Sequence, residues 1–266
     1  MPKKNGTVRF ITDFRKLNEN LERQPYLLPN LQDTIRRHES FSFLTKIDLN
    51  MGYYTLELDQ ESSKLCTIIT PWGQFRYLLL PLGVMSAVDL FQVVMSLEFQ
   101  SIDHTFVYLD DLKTATTKDK SKPPDEDDFQ LHLTQLHKAL TILQDCGFTI
   151  NPAKCAWAVQ STDYLGYVFT PDGVQPMQNK VDAMLQIQSP KTRKQVRRFI
   201  GLVNYYRDMW PQRSHILAPL TRLTSTKVKF HWGDEEESAF QSMKSLITHD
   251  VLLHFPDQSK PFHIYT

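Results

Sequence analysis

Apolar and polar positions alternate over residues 7–14, as in a half-buried strand, and Asn5-Gly6 before them has the form of a two-residue hairpin turn. Pro25 and Pro29 punctuate a loop, after which a short helix is predicted from about Leu31 to His38. FSFLTKIDL is rich in β-formers and ends its polar-flanked run at Asp48, and YYTLELD resumes an extended pattern after Asn50-Met51-Gly52. TIITPWGQFRYLLLPLG reads as two strands around a Pro71–Gly73 turn. Residues 86–100 have helical periodicity, and Thr105–Thr116 reads as a hairpin with Asp110 and Asp111 at its tip. Leu133, Leu136, Leu140 and Leu143 recur at helical spacing up to a C-capping Gly147. TDYLGYVFTPDGVQP predicts another hairpin, turning at Pro171-Asp172-Gly173.

From about residue 178 the pattern becomes mainly helical, at 178–188 and 192–209, with Thr192 and Gln195 spaced as a capping box. Val196, Ile200 and Val203 form one stripe of the second helix, and Lys191, Lys194 and Arg198 lie roughly opposite. A last helix follows Asp234, whose first turn carries Glu235, Glu236 and Glu237 against the helix dipole. The pattern is α+β: mixed strands and helices, then a helical segment, then a short α/β tail. TKDKSKPPDEDD at 117–128 is the one low-complexity stretch and reads as a solvated loop.

Composition narrows this picture only a little. The 266 residues are 41% hydrophobic, enough for a sizeable core in one large or two ordinary domains. Thirty basic residues balance thirty acidic ones, so no global field draws a polyanion and any nucleic-acid contact must come from local patches. Cys66, Cys146 and Cys155 lack metal-type spacing, and reduced intracellular thiols are the simplest reading. No apolar run of membrane-spanning length and no signal peptide is present. KKNGTVRFITDF at one end and KPFHIYT at the other read as interior segments, as expected of a piece of a longer polypeptide.

The candidate chemistry lies in Asp48, Asp110 and Asp111, each at a strand end. Adjacent carboxylates repel unless solvated or sharing a cation. Taken alone, Asp110-Asp111 reads as a turn initiator. Joined by Asp48, the set could converge on hard divalent cations, and two such ions can activate a 3′-hydroxyl and stabilise a phosphoryl transition state.

The order of motifs decides between these readings. VRFITDFRKLN, LTKIDLNMGYY, LPLGVMSAVDLFQ, FVYLDDL, GFTINPAKC and YLGYVFTPDG follow one another along the chain. Together they resemble the successive motifs of reverse transcriptases of Ty3/gypsy-type long-terminal-repeat retrotransposons. KTRKQVRRFIGLVNYYRDMWPQRSHILAPLT is similar to the thumb of that family, and VKFHWGDEEESAF to the segment after it.

The resemblance implies a right-hand polymerase: partial fingers and a palm with an antiparallel sheet over 1–175, a helical thumb over 176–224, and the start of a connection or ribonuclease-H-like domain over 225–266. It implies RNA-directed DNA synthesis, with Asp48, Asp110 and Asp111 as the catalytic, metal-binding aspartates for two Mg²⁺ ions, or Mn²⁺ in their place. Tyr53 matches the aromatic beneath the incoming sugar, which rejects a 2′-hydroxyl by steric exclusion. Arg9 and one of Lys3 and Lys4, taken as Lys4, match the residues that hold the triphosphate. Lys154 matches a lysine near the leaving pyrophosphate, or is a surface lysine. Phe91 and Gln92 match positions beside the template and the nascent base pair. Leu165 and Gly166 resemble the primer-grip hairpin, and Lys191, Lys194 and Arg198 suit phosphate contacts.

Implied partners are an RNA or DNA template with its primer, deoxynucleoside triphosphates, and the ribonuclease H, integrase and protease domains of a pol polyprotein. The implied location is intracellular, in a cytoplasmic virus-like particle. The ribonuclease H aspartates of the family would lie beyond Thr266, so no RNA-strand cleavage is expected of these residues.

Four features depart from the family pattern. Val88, Asp89 and Leu90 replace a small residue and proline, bringing a negative charge near the expected phosphates. Lys113 stands at a usually apolar position, Val8 where an aromatic is common, and the stretch from Gln92 to Tyr108 is short. These departures raise an alternative, a catalytically decayed remnant that keeps the fold and nucleic-acid binding. A metal-dependent nuclease on the same aspartates is a further rival, without an accompanying His or Glu cluster.

Overall fold

The computed structural model describes residues 6, 8, 10–117, 124–248 and 252–256. Lys3, Lys4, Asn5 and Arg9, part of the charged stretch after Thr117, and the KPFHIYT segment lie outside the described residues. The chain divides into two compact units, Met1–Gln160 and Ser161–Thr266.

The first unit runs α1 (Arg15–Asn18), α2 (Leu31–Arg36), β1 (Phe41–Asp48), α3 (Gln60–Leu65), β2 (Thr67–Thr70), β3 (Gly73–Arg76), α4 (Ala87–Phe99), β4 (Thr105–Tyr108), β5 (Asp111–Thr117), α5 (Glu126–Asp145) and β6 (Ala156–Val159). Its central sheet has the order β4-β5-β1-β6 and is antiparallel throughout. Helices α4 and α5 close one core with it, in which Ile47, Phe91, Met95, Leu112, Ala139 and Leu143 are buried. Helix α5 starts at Glu126, inside the charged stretch, because the Asp125 carboxylate accepts from the Asp128 N–H and caps it.

The buried stripe of α5 is His132, Leu136, Ala139 and Leu143, and the expected Leu133 faces out. His132 earns its place by hydrogen bonding. Its ring nitrogens each meet a threonine hydroxyl at 2.7 Å, Thr45 of β1 on one side and Thr116 of β5 on the other. Burial pushes the imidazole down to about 4, so the neutral ring donates through one nitrogen and accepts through the other. Lys113 is likewise fully buried, at 2.5 Å from His38 Nε2, and burial holds its amine well below the ordinary lysine value. A long aliphatic stem with its amine paired to His38 explains how a lysine occupies a strand position that otherwise suits an apolar residue.

Among the described residues, two expected strands are not formed as such. Residues 10–14 have no strand pairing, with Val8 forming only an isolated bridge. YYTLELD begins instead as a 3₁₀ turn, Gly52–Thr55, followed by a single bridge from Glu57 to Leu79.

The second unit runs β7 (Thr162–Tyr164), β8 (Tyr167–Thr170), β9 (Gly173–Pro176), α6 (Gln178–Leu185), α7 (Arg193–Tyr205), α8 (Arg213–Ile216), α9 (Ala218–Arg222), α10 (Asp234–Thr248) and β10 (Leu253–His254). TDYLGYVFTPDGVQP forms three strands with two turns rather than one hairpin, and β10 adds to them in the order β10-β9-β8-β7. The Thr192–Gln195 capping box is formed. On α7 the fully buried positions are Val196, Phe199 and Val203, so Phe199 takes the central place expected for Ile200. Phe199 meets Phe240 of α10 at 4.7 Å.

The second compact unit begins at Ser161, so β7 to β9 lie in one unit with the helices that follow. Among the described residues of this unit, α10 packs among the helices and β10 pairs with β9. Among the described residues no helix is long and apolar enough to cross a membrane.

Candidate active site

The β1–β5 register brings Asp48 and Asp111 directly opposite one another as the last pair of the ladder. Directly paired residues on neighbouring strands have Cβ atoms about 5 Å apart, and like charges there repel. Asp110 is the second residue of the two-residue turn between β4 and β5, where Tyr108 pairs with Asp111, and its side chain is exposed. Its carbonyl accepts from the Leu49 N–H at 3.2 Å, which ties the turn to the end of β1.

The turn is strained at Leu109, at φ 54°, a conformation that costs a non-glycine residue about 1–2 kcal/mol. Gln92 holds it there. The amide of Gln92 is fully buried, its Oε1 accepting from the Leu109 N–H at 2.8 Å and its Nε2 donating to Val107 O at 3.2 Å and Ser96 Oγ at 3.0 Å. The resemblance sets Gln92 and Phe91 beside bound nucleic acid. Both side chains are wholly buried and build the turn and the core behind it.

Asp48 is fixed by its backbone as well. Its carbonyl accepts from the Asn151 N–H at 2.9 Å, and its own N–H reaches Cys155 Sγ at 3.4 Å. The same loop delivers Lys154, whose ammonium donates to both carboxylate oxygens of Asp48, at 3.1 and 3.3 Å. A cation therefore stands beside the acidic pair and offsets part of its repulsion.

Among the described residues no three His, Cys, Asp or Glu side chains close a ready-made metal cage. That is compatible with Mg²⁺, which is commonly held by one or two carboxylates with water and substrate phosphates making up the rest. The hard carboxylate oxygens fit such an ion, and the Lys154 ammonium already places one positive charge against Asp48.

Tyr53 follows Met51, which is at φ 55°, and Gly52 in the 3₁₀ turn after β1. Its ring stacks on Phe91 at 4.5 Å and 25°. Phe91 in turn meets Phe148 edge-on at 5.9 Å. Burial first, and the negative charge of Asp110 second, raise the Tyr53 phenol above its ordinary value, so the ring lies within the field of the turn carboxylate.

A Cβ at Gly52 would come within 2.8 Å of Phe91 Cζ. Gly52→Ala is therefore expected to destabilise the chain by about 1–3 kcal/mol through overpacking, read by denaturant unfolding. Phe91→Leu in the same chain should recover part of that loss.

Asp89 overturns an expectation. It is 2% exposed, and its carboxylate accepts from Arg23 at 2.9 and 3.0 Å and from the Tyr26 N–H at 3.0 Å. The hydrogen bonds from Arg23 and Tyr26 hold it below the usual carboxylate range. Its charge is spent inside the unit on the loop that carries Pro25, not presented to phosphates. Asn18 was also not singled out by the sequence. It bridges Gly83 O and the Met85 N–H, both at 2.9 Å, and so shapes the approach to α4. No local pattern marks residues whose partners lie so far along the chain.

In the second unit Leu165 and Gly166 form the two-residue turn between β7 and β8. Lys191, Lys194 and Arg198 are exposed around the start of α7. The neighbouring Arg193 and Arg197 are engaged otherwise, donating to the carbonyls of Leu223, Val228 and Thr224.

Residues 1–169 match the family model described as reverse transcriptase (RNA-dependent DNA polymerase). The chain is 31% identical over 261 residues to a retrovirus-related Pol polyprotein from transposon 297 of Drosophila melanogaster, covering 97% of this chain and 24% of that protein. It is 29% identical over 263 residues to the transposon Tf2-3 polyprotein of Schizosaccharomyces pombe, covering 98% of this chain and 19% of the relative. The chain thus spans about a fifth to a quarter of the curated relatives it matches. Its fold is similar to that of a foamy viral protease-reverse transcriptase solved with double-stranded DNA, at TM-score 0.86 and 23% identity over 97% of this chain and 44% of that one. A structure of the foamy viral protein with an RNA/DNA hybrid matches at TM-score 0.78 and 22% identity, over 94% and 33% of the two chains.

Proposed function

The chain belongs to the reverse transcriptase (RNA-dependent DNA polymerase) family, of the Ty3/gypsy long-terminal-repeat type, and on that premise we propose that it adds deoxynucleotides to a primer 3′-hydroxyl on an RNA or DNA template. The observation that carries this reading is the pairing of Asp48 with Asp111 beside the exposed Asp110.

Asp48, Asp110 and Asp111 would hold two Mg²⁺ ions, or Mn²⁺ in their place. Bound there, the ions would supply Lewis-acid activation of the 3′-hydroxyl and charge stabilisation at the phosphate. Gln92 and Leu49 keep the Asp110 turn rigid, so the carboxylate needs no reorganisation when substrate arrives. Lys154 balances Asp48 at rest and is free to turn to a phosphate oxygen once that charge is otherwise met. Tyr53 excludes a 2′-hydroxyl, while Arg9 and Lys4 are proposed from the resemblance to hold the triphosphate. Lys191, Lys194 and Arg198 bear charge that no partner among the described residues consumes, and suit sequence-independent contacts to phosphates.

The relatives are polyproteins, and from the resemblance ribonuclease H, integrase and protease are proposed as neighbouring domains, with a cytoplasmic virus-like particle as the setting. The decayed-remnant alternative rests on Val88-Asp89-Leu90, Lys113, Val8 and the short Gln92–Tyr108 stretch together, and the Arg23 pairing answers only the charge of Asp89.

Purified chain with Mg²⁺, a primed RNA template and deoxynucleotides is expected to extend the primer. No extension with Mg²⁺ or Mn²⁺ would overturn the reading. Release of nucleotides from labelled nucleic acid without added deoxynucleotides would favour a nuclease.

A further inference from the structure

Within the second unit, three tyrosine hydroxyls bond backbone carbonyls in and around one turn. Leu165 and Gly166 both lie at positive φ, 46° and 78°. Tyr205 Oη donates to Leu165 O at 2.8 Å and Tyr206 Oη to Gly166 O at 2.6 Å. Tyr167, just past the turn, returns a bond from its own hydroxyl to Tyr205 O at 2.9 Å. The rings interlock, Tyr167 stacking on Tyr205 at 26° and meeting Tyr206 edge-on at 73°. Glycine is required on two counts at 166, since a Cβ would also come within 2.7 Å of Tyr205 Oη. Burial pushes the Tyr206 phenol up to about 12, so it stays a donor at any working pH.

The bond from Tyr205 is not needed to satisfy a buried group. Tyr205 is 46% exposed, and a turn carbonyl of this kind can bond water. Its effect is orientation. In a trans peptide the C=O and N–H point to opposite sides, and all described peptide bonds are trans. Holding Leu165 O toward α7 therefore aims the Gly166 N–H the other way.

We propose that Tyr205 and Tyr206 are positioning residues that clamp the Leu165–Gly166 turn to the end of α7, Tyr205 fixing the direction of the Gly166 N–H and Tyr206 holding the peptide that follows it. That this turn meets a primer strand rests on the polymerase reading; the clamp itself does not.

Tyr205→Phe and Tyr206→Phe, alone and together, keep the rings and remove the hydroxyls. The chain has nine glycines, so glycine-selective ¹⁵N labelling reports the Gly166 amide directly, identified by its loss in Gly166→Ala. Removal of the Tyr205 hydroxyl is expected to shift the Gly166 amide signal, removal of both to shift it further, and each to raise the KM for primer–template by about fivefold to tenfold. The KM for deoxynucleotide, the melting temperature and the remaining glycine signals should stay unchanged. An unmoved Gly166 signal in the double variant overturns the clamp. A fall in melting temperature with shifts at many glycines makes the tyrosines merely structural and also overturns it. A shifted Gly166 with unchanged primer–template KM overturns its role in synthesis. A parent chain that extends no primer defeats the polymerase reading, and the amide signal still decides the clamp.

Discussion

Asp110→Asn is expected to lower primer extension by about 10³-fold or more while template–primer affinity stays within about twofold, the loss corresponding to some 4 kcal/mol of transition-state stabilisation. The substitution keeps size and shape and removes one charge. The exposed carboxylate has no partner among the described residues, and what ties position 110 to the fold is its carbonyl, bonded to the Leu49 N–H. Asparagine preserves that bond, so the turn and the β4–β5 ladder should survive, and the melting temperature with them.

Affinity for nucleic acid should hold for a second reason. Removing an anion near a polyanion cannot weaken long-range attraction. Asp48→Asn is a less clean experiment, because it also strands the Lys154 ammonium. Gel-based extension and duplex-binding anisotropy on one preparation provide the check. Parallel loss of binding and synthesis, or synthesis within tenfold of the parent, would remove Asp110 from the proposed role.

Much of the framework around these aspartates is written in local pattern. The β-rich run ending at Asp48, the hairpin carrying Asp110 and Asp111, and the capping box opening α7 each depend on residues within one element, and each is formed. What the pattern misses is set by distant partners. YYTLELD has the composition of a strand, yet Met51 at positive φ and the close approach of Gly52 to Phe91 curl it into a 3₁₀ turn. The burial of Phe91 and Gln92 depends on the core around them, and that of Asp89 on an arginine distant along the chain. His132 breaks an apolar stripe, and only the two threonines facing it from different strands explain why. The tyrosines that bind β7 and β8 to α7 are likewise read only when the helix is already in place.

Tyr53→Ala is expected to reduce discrimination against ribonucleotides by about 10²-fold, the scale on which a steric pocket rejects or admits a small group. A steric gate works only if the ring cannot retreat. Here the ring lies on Phe91, which is fully buried and braced edge-on by Phe148. Gly52 permits that close approach, so the wall behind Tyr53 is rigid core rather than mobile surface. Alanine removes the ring and leaves the wall, opening room for a 2′-hydroxyl.

Tyr53→Phe keeps the ring, and discrimination should stay within about twofold of the parent, since the selection is by shape and not by hydrogen bonding. The raised phenol value fits this division. Ionisation is disfavoured beside Asp110, so the hydroxyl stays neutral through the working range and adds no charge toward a triphosphate. Because the measured quantity is a ratio of kcat/KM for deoxy- and ribonucleotide on one preparation, partial unfolding of the alanine variant cancels. An unchanged ratio in Tyr53→Ala would refute the gate, and an equal loss in Tyr53→Phe would show that the hydroxyl, not the ring, does the selecting.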